Sequence, residues 1–163
     1  MPAALARGAA QLGVRLDEAQ QSRLLRLAAE LLRWNKAYNL TAITAPDAVL
    51  THHLLDSLAV APDLQGSTVA DVGTGAGFPG LPLAIAQPER QFTLIDTVDK
   101  KLRFIDHVVR ELGLANVRTL HARVETLQPG RGIAQPFDTV IARAFSPLPR
   151  EIQQQILKLT TEK

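Results

Sequence analysis

The run Asp71-Val72-Gly73-Thr74-Gly75-Ala76-Gly77-Phe78 constrains this chain more than any other stretch. Glycine lacks a Cβ, so the backbone there can turn sharply and approach a ligand closely. The β-favouring residues Thr68–Val72 precede the glycines and are stopped by them. Behind them, residues 81–86 fit a helix that opens at Pro79, since proline is tolerated in a first turn. A strand, a glycine turn and a helix in that order put unpaired helix N–H groups beyond the carboxyl end of a strand. Open α/β sheets bind their ligands at that edge.

The spacing narrows the choice of ligand. A dinucleotide fingerprint runs G-x-G-x-x-G, whereas here the glycines run G-x-G-x-G and an Asp precedes them by two positions. No Lys-Ser or Lys-Thr pair follows, so a Walker phosphate loop is absent. The pattern D-x-G-x-G-x-G resembles the first motif of class I methyltransferases. That resemblance implies a turn meeting the methionine and ribose portions of S-adenosylmethionine. Asp96 lies 19 positions after Gly77, at the end of a strand-like run over 92–95. An acidic side chain there can accept hydrogen bonds from ribose hydroxyls. Alternatively Asp96 caps the next helix, which Asp99 could do equally well.

Around the turn, the pattern divides the chain in two. Residues 1–66 read as a helical extension: Asp17 can cap a helix over Glu18–Tyr38, with Leu24, Leu27, Ala28, Leu31 and Leu32 at helical spacing. Pro46 and Asp47 can start another helix, ending near Pro62. Residues 67–163 alternate strand and helix, with further strands at 117–120 and 137–142 and a helix at 100–112 stopped by Gly113. This predicts an α/β fold, a mostly parallel sheet with helices on both faces. Residues 128–136, rich in Gly and Pro, read as an exposed loop, and residues 151–163 as a polar helical tail.

A chain of 163 residues with 46% hydrophobic residues is one domain's worth, able to bury a core. The net charge of +2 identifies no partner, but residues 100–123 carry six basic side chains (Lys100, Lys101, Arg103, Arg110, Arg118, Arg123) against two acidic. Such a patch can attract phosphates or be a solvated helix face. Cysteine is absent, which excludes disulfides and thiolate metal sites. No stretch approaches the roughly 20 apolar residues of a membrane span, and no signal peptide is visible, so a cytoplasmic protein is expected. His52 and Asp56, four apart, are too few ligands for a closed metal site, so no metal is expected and a packing or hydrogen-bonding role is. Trp34 and Tyr38, also four apart, could stack on bases; a core stripe is the expectation.

Taken in order, several blocks resemble the glucose-inhibited division protein B (RsmG) family over roughly residues 13–149. They are Trp34-Asn35-Lys36 with Asn39-Leu40-Thr41, then His53-Leu54-Leu55-Asp56-Ser57-Leu58, then 71–80, Lys100-Lys101, Asn116-Val117, Arg123-Val124-Glu125 and Arg143-Ala144. The resemblance implies a class I, Rossmann-like methyltransferase that uses S-adenosylmethionine to methylate N7 of a guanine in 16S rRNA of the small ribosomal subunit. It implies cofactor contacts at Gly73, with Gly75 and Gly77 in the same turn, at Phe78 bordering the pocket, at Val124 and Glu125 on the adenine side, and at Arg143.

Neutral guanine carries a lone pair and no proton at N7, so its attack on a sulfonium methyl needs no general base. No catalytic acid or base is therefore named; alignment is the expected contribution. Lys100, Lys101, Arg103 and Arg123 are the candidate phosphate contacts, and a monomer is expected. Only four strand-like runs occur, fewer than such folds carry, so a shortened core with an open sheet edge is expected. The alternatives are an inactive domain that binds cofactor or RNA, and a class I methyltransferase with another substrate. A dinucleotide oxidoreductase fits the glycine spacing least.

Overall fold

The computed structural model describes residues 2–142 and 148–160. Helix α1 (Pro2–Gln11) leads into α2 (Glu18–Tyr38). Asp17 caps α2 as expected: its side chain accepts from the Gln20 N–H (2.7 Å) while Gln20 Oε1 accepts from the Asp17 N–H (2.8 Å). The reciprocal pair satisfies two orphan donors of the helix start. The helix expected from Pro46 is interrupted. It begins as α3 (Pro46–Val49), widens into a π-helical stretch at Leu50–Leu55 and closes as α4 (Asp56–Leu58). A π-turn inserts an extra residue and re-aims the side chains beyond it.

Four parallel strands form the main sheet in the order β3-β2-β1-β6: β1 (Thr68–Val72), β2 (Gln91–Asp96), β3 (Val117–His121) and β6 (Thr139–Ala142). The expected strands are all present. α5 (Gly80–Ala86) and α6 (Asp99–Leu112) make the crossovers. Register pairs Val72 with Ile95, Asp96 with His121 and Val72 with Ala142, so the turn after β1 and the ends of β2, β3 and β6 share one edge. Gly113, at φ +64, ends α6, a left-handed conformation that glycine adopts without a Cβ penalty.

Alternation along the strands sends residues to two cores. Val69, Phe92 and Leu94 join α1, α2, α5 and α6 on one face, where Leu102, Phe104, Ile105, Val108 and Leu112 bury the apolar side of α6. Each such side chain contributes about 1.5–3 kcal/mol on leaving water. Ala70 and Ile95 face the smaller core with Val124, Leu127, Ile133 and Phe137. Two expectations are corrected here. The segment 128–136 contains the two-residue strands β4 (Gln128–Pro129) and β5 (Gly132–Ile133), and Ile133 is buried. The polar tail is an amphipathic helix, α7 (Arg150–Leu157), that buries Ile156; Leu159 just beyond it is also buried. Ile133 stands alone among polar residues and carries no periodic signal, whereas Ile152, Ile156 and Leu159 recur at helical spacing and turn one face of the tail to the smaller core.

Asp138 latches the loop before β1 to the start of β6. Its Oδ2 accepts from the N–H groups of Ser67 (2.7 Å) and Thr68 (3.2 Å), and Thr68 Oγ1 accepts from the Asp138 N–H (3.0 Å). The Ser67 and Thr68 backbone hydrogen bonds hold the Asp138 carboxyl below its ordinary range. A carboxyl depressed in the folded state stabilises the fold above its unfolded pKa, and that stability is lost as pH falls through the folded value. Asp138→Asn is therefore expected to lower the urea midpoint at neutral pH. The gap from wild type should close in acid, below the ordinary aspartate range; a gap constant with pH would refute the charge dependence.

Candidate cofactor site

The residues of the glycine turn are held by two carboxylates. Asp71, the last but one residue of β1, is buried. Its Oδ2 accepts from Thr74 Oγ1 (2.6 Å) and from the Gly80 N–H at the start of α5 (2.9 Å). Asp96, at the end of β2, accepts from the Gly75 N–H through Oδ2 (2.8 Å) and from the Val98 N–H through Oδ1 (2.9 Å). The main chain adds to this, since the N–H groups of Gly73 and Thr74 both donate to the Ile95 carbonyl (2.9 and 3.1 Å). Asp96 does not cap α6, which begins after Val98 without a side-chain cap. It fixes the turn and the entry to α6, and each oxygen keeps a second lone pair for hydroxyl donors. Asp99 does not cap α6; it lies inside the helix and pairs with Arg103 at 2.7 Å.

The three glycines divide by what stands in front of them. Gly73, Gly75 and Gly77 all have positive φ (+69, +63 and +101). A Cβ built on Gly73 or Gly75 would meet nothing within 4 Å, whereas one on Gly77 would come within 2.3 Å of Leu81 and 3.3 Å of Ile105. Gly73 and Gly75 therefore present bare backbone to open space, as a cradle for a ligand requires. Gly77 instead leaves its space to the Leu81 and Ile105 side chains. That open cradle beside a carboxylate fits a ligand bearing vicinal hydroxyls and a positive charge.

The chain after β3 completes the near wall. The Ala122 N–H donates to the Asp96 carbonyl (3.1 Å), and His121 Nε2 lies 2.9 Å from the Thr97 carbonyl. The short helix Val124–Thr126 follows, with Glu125 exposed and Val124 buried in the smaller core. Any contact from Val124 to a ligand is therefore left to its backbone. Arg123, Lys100 and Arg103 are exposed and Lys101 is half-buried. Arg143 lies outside the described residues; Ala142 before it stands beside Val72. A cleft of about 330 Å³ lined by Thr68, Gln91, Thr93 and Arg118 opens at the opposite, amino-terminal end of the strands. Arg118 there donates to Thr93 Oγ1 (3.1 Å), so it is engaged in the sheet surface away from the turn.

Sequence reasoning overlooked how the helical extension reaches this turn. Phe78 is buried, and the His53 imidazole lies against its ring with centroids 4.7 Å apart. His53 Nε2 is hydrogen bonded to Thr41 Oγ1 (2.9 Å), and the Thr41 N–H donates to Asn35 Oδ1 (2.8 Å). Asn35 is itself buried on α2. Three blocks of the extension thus converge on the residue after the glycines. The visible signal was an Asn within an otherwise apolar helical stripe, because a buried amide needs a partner. His52 and Asp56, by contrast, form an exposed pair 3.9 Å apart, and no group of metal-binding side chains occurs among the described residues.

Two substitutions separate cradle from packing. Gly77→Ala combines backbone strain with overpacking and is expected to cost roughly 2–4 kcal/mol. Gly73→Ala adds only the left-handed strain, about 1 kcal/mol. Urea unfolding of both variants checks this; equal losses would mean that the two glycines share one role.

Comparison with known proteins accords with this architecture. The family model described as rRNA small subunit methyltransferase G matches residues 20–163. Ribosomal RNA small subunit methyltransferase G of Ectopseudomonas mendocina (strain ymp) is 51% identical over 146 residues, covering 88% of this chain and 66% of that protein. The protein of the same name from Azoarcus sp. (strain BH72) is 53% identical over 145 residues, with the same coverages. The chain therefore spans about two thirds of the length of these relatives. Among solved structures, the O-methyltransferase TomG from Streptomyces achromogenes, in complex with SAM, superposes with a TM-score of 0.55 at 26% identity, covering 91% of this chain and 63% of that one. Coclaurine N-methyltransferase bound to N-methylheliamine and SAH gives 0.56 at 16% identity over 99% and 56% of the two chains. The fold is that of class I methyltransferases, and the chain belongs to the rRNA small subunit methyltransferase G family.

Proposed function

We propose that this chain binds S-adenosylmethionine in the Gly73–Gly75 cradle and transfers its methyl group to N7 of a guanine in 16S rRNA. The observation that carries the reading is the pair of left-handed glycines with nothing before them, fixed between Asp71 and Asp96. Family membership supplies the substrate class. When bound, the cofactor contributes an electrophilic methyl on a positively charged sulfur.

The protein's own share is placement. Guanine N7 offers its lone pair without losing a proton, so no side chain need act as a base, and the gain comes from holding the reacting atoms in line. Gly73 and Gly75 let the main chain come close to the methionine and ribose portions. Asp96 accepts from the ribose hydroxyls with its remaining lone pairs, and Glu125 borders the adenine side with the Val124 backbone. Phe78, held by His53, forms the inner wall of the pocket, and Arg143 is a further cofactor contact that the family resemblance implies. Gly77 serves the cradle indirectly, through packing. Lys100, Lys101 and Arg123 meet RNA phosphates. Arg103 contributes less, because Asp99 already neutralises it. The protein works as a monomer in the cytoplasm, where small ribosomal subunits are present; no described helix is long and apolar enough to cross a membrane.

The direct test incubates the chain with S-adenosylmethionine and small ribosomal subunits that lack the modification, then maps N7-methylguanine by chemical cleavage. A new methylated guanine is expected. No product despite cofactor binding would reduce the chain to a cofactor-binding domain. Asp96→Asn is expected to weaken S-adenosylmethionine about ten-fold in calorimetric titration, since hydrogen bonds to a charged acceptor contribute about 1.5–3 kcal/mol. Unchanged affinity would remove Asp96 from the cofactor contacts.

A further inference from the structure

Helices α2 and α6 pack antiparallel, and three contacts set their register. Arg26 lies 3.6 Å from Glu111, Glu30 lies 2.9 Å from His107, and the Trp34 ring meets Phe104 edge-on at 5.7 Å. Each turn forward on α2 thus matches one turn backward on α6. The next turn brings Tyr38 to the level of Lys100 and Lys101. α6 starts three residues after Asp96, so this level lies at the sheet edge that carries the glycine turn.

Tyr38 is 44% exposed, one of three large apolar side chains left open among the described residues. Its inner face is stacked on Trp34, with centroids 5.1 Å apart and planes 29° apart. Trp34 is fixed in turn by Phe104 and by the His107 ring at 4.9 Å. Tyr38 is therefore a rigid aromatic with one face held and the other in water. The expectation of a core stripe holds for Trp34, which packs on α6, and fails for Tyr38. Lys100 is exposed and Lys101 half-buried, and neither makes an ion pair among the described residues. An ordered aromatic face among unpaired cations matches unpaired nucleotides, whose bases stack while their phosphates are neutralised.

We propose that Tyr38, backed by Trp34, is a stacking platform for an unpaired base of the RNA substrate, with Lys100 and Lys101 holding the flanking phosphates. The proposal rests on the RNA-methylating function above and adds to it a specific contact outside the cofactor site. An aromatic already stacked on its neighbour loses little freedom when a base docks, so the platform is pre-ordered.

The test uses the intact chain and a short single-stranded RNA. Trp34 is the sole tryptophan, so its emission reports events on the other face of Tyr38 directly. RNA is expected to quench that emission. Tyr38→Ala should weaken RNA binding about ten-fold at fixed salt, and Tyr38→Phe, which keeps the ring, should restore it. Charge reversal at Lys100 and Lys101 should instead flatten the salt dependence by about one unit of slope per lysine. Circular dichroism checks that each variant is folded. Wild type that binds RNA while Tyr38→Ala binds equally well would overturn the platform and leave the RNA reading intact. Wild type that binds no RNA would remove both. Loss of self-association in Tyr38→Ala, seen by sedimentation with RNA affinity unchanged, would make this face a protein contact and overturn the proposal.

Discussion

A buried carboxylate organises the end of this sheet. Asp71 projects from β1 into the start of α5 and accepts from Thr74 Oγ1 and the Gly80 N–H. A carboxylate out of water is costly unless donors surround it, so the chain can bury Asp71 only by bending back over it. That bend is the glycine turn. Gly80 shows how close the fit is, since a Cβ there would approach Asp71 Oδ2 and the Leu94 side chain to 2.9 Å. The same residue type therefore serves for closeness at Gly80, for packing at Gly77, and for openness at Gly73 and Gly75.

Around this lock, the cradle is supported from two directions. From the sheet, Asp96 joins the Gly75 N–H to the Val98 N–H just before α6, so one side chain ties the glycine loop to the start of the crossover helix. From the helical extension, Asn35, Thr41 and His53 reach Phe78 in sequence. The extension is thus not a separate appendage. Its helices share the larger core with the sheet and end in a polar chain at the turn. At the α2–α6 interface, Glu30 lies 2.9 Å from His107. Burial pushes the Glu30 carboxyl up, but hydrogen bonds from Arg33 and His107 outweigh it and hold the group below its usual range.

Much of this was readable in advance because the informative patterns are local. The capping of α2 by Asp17, the stop of α6 at Gly113, and the strand-turn-helix order around residues 71–80 each depend on residues a few positions apart. The errors fell where a residue's surroundings come from distant segments. Leu127 and Ile133 were assigned to or beside a loop, yet they meet Ile95 and Phe137 in the smaller core. The tail is helical as its pattern predicts, but the core that receives Ile156 and Leu159 is built from segments distant in the chain. The helix after Pro46 kept its place but not its regularity, since the π-turn at Leu50–Leu55 depends on packing and not on propensity.

The sequence by itself determined the fold class and the position of the glycine turn. It did so because glycine spacing, strand alternation and helix periodicity are properties of the chain alone. Only the tertiary structure decided which glycine faces a ligand and which faces a neighbouring helix. It alone showed that Asp96 fixes the turn it was expected to serve, and that Tyr38 stands open while Trp34 is packed. Those distinctions turn on what occupies the space in front of a residue, and that space is bounded by segments far away in the chain.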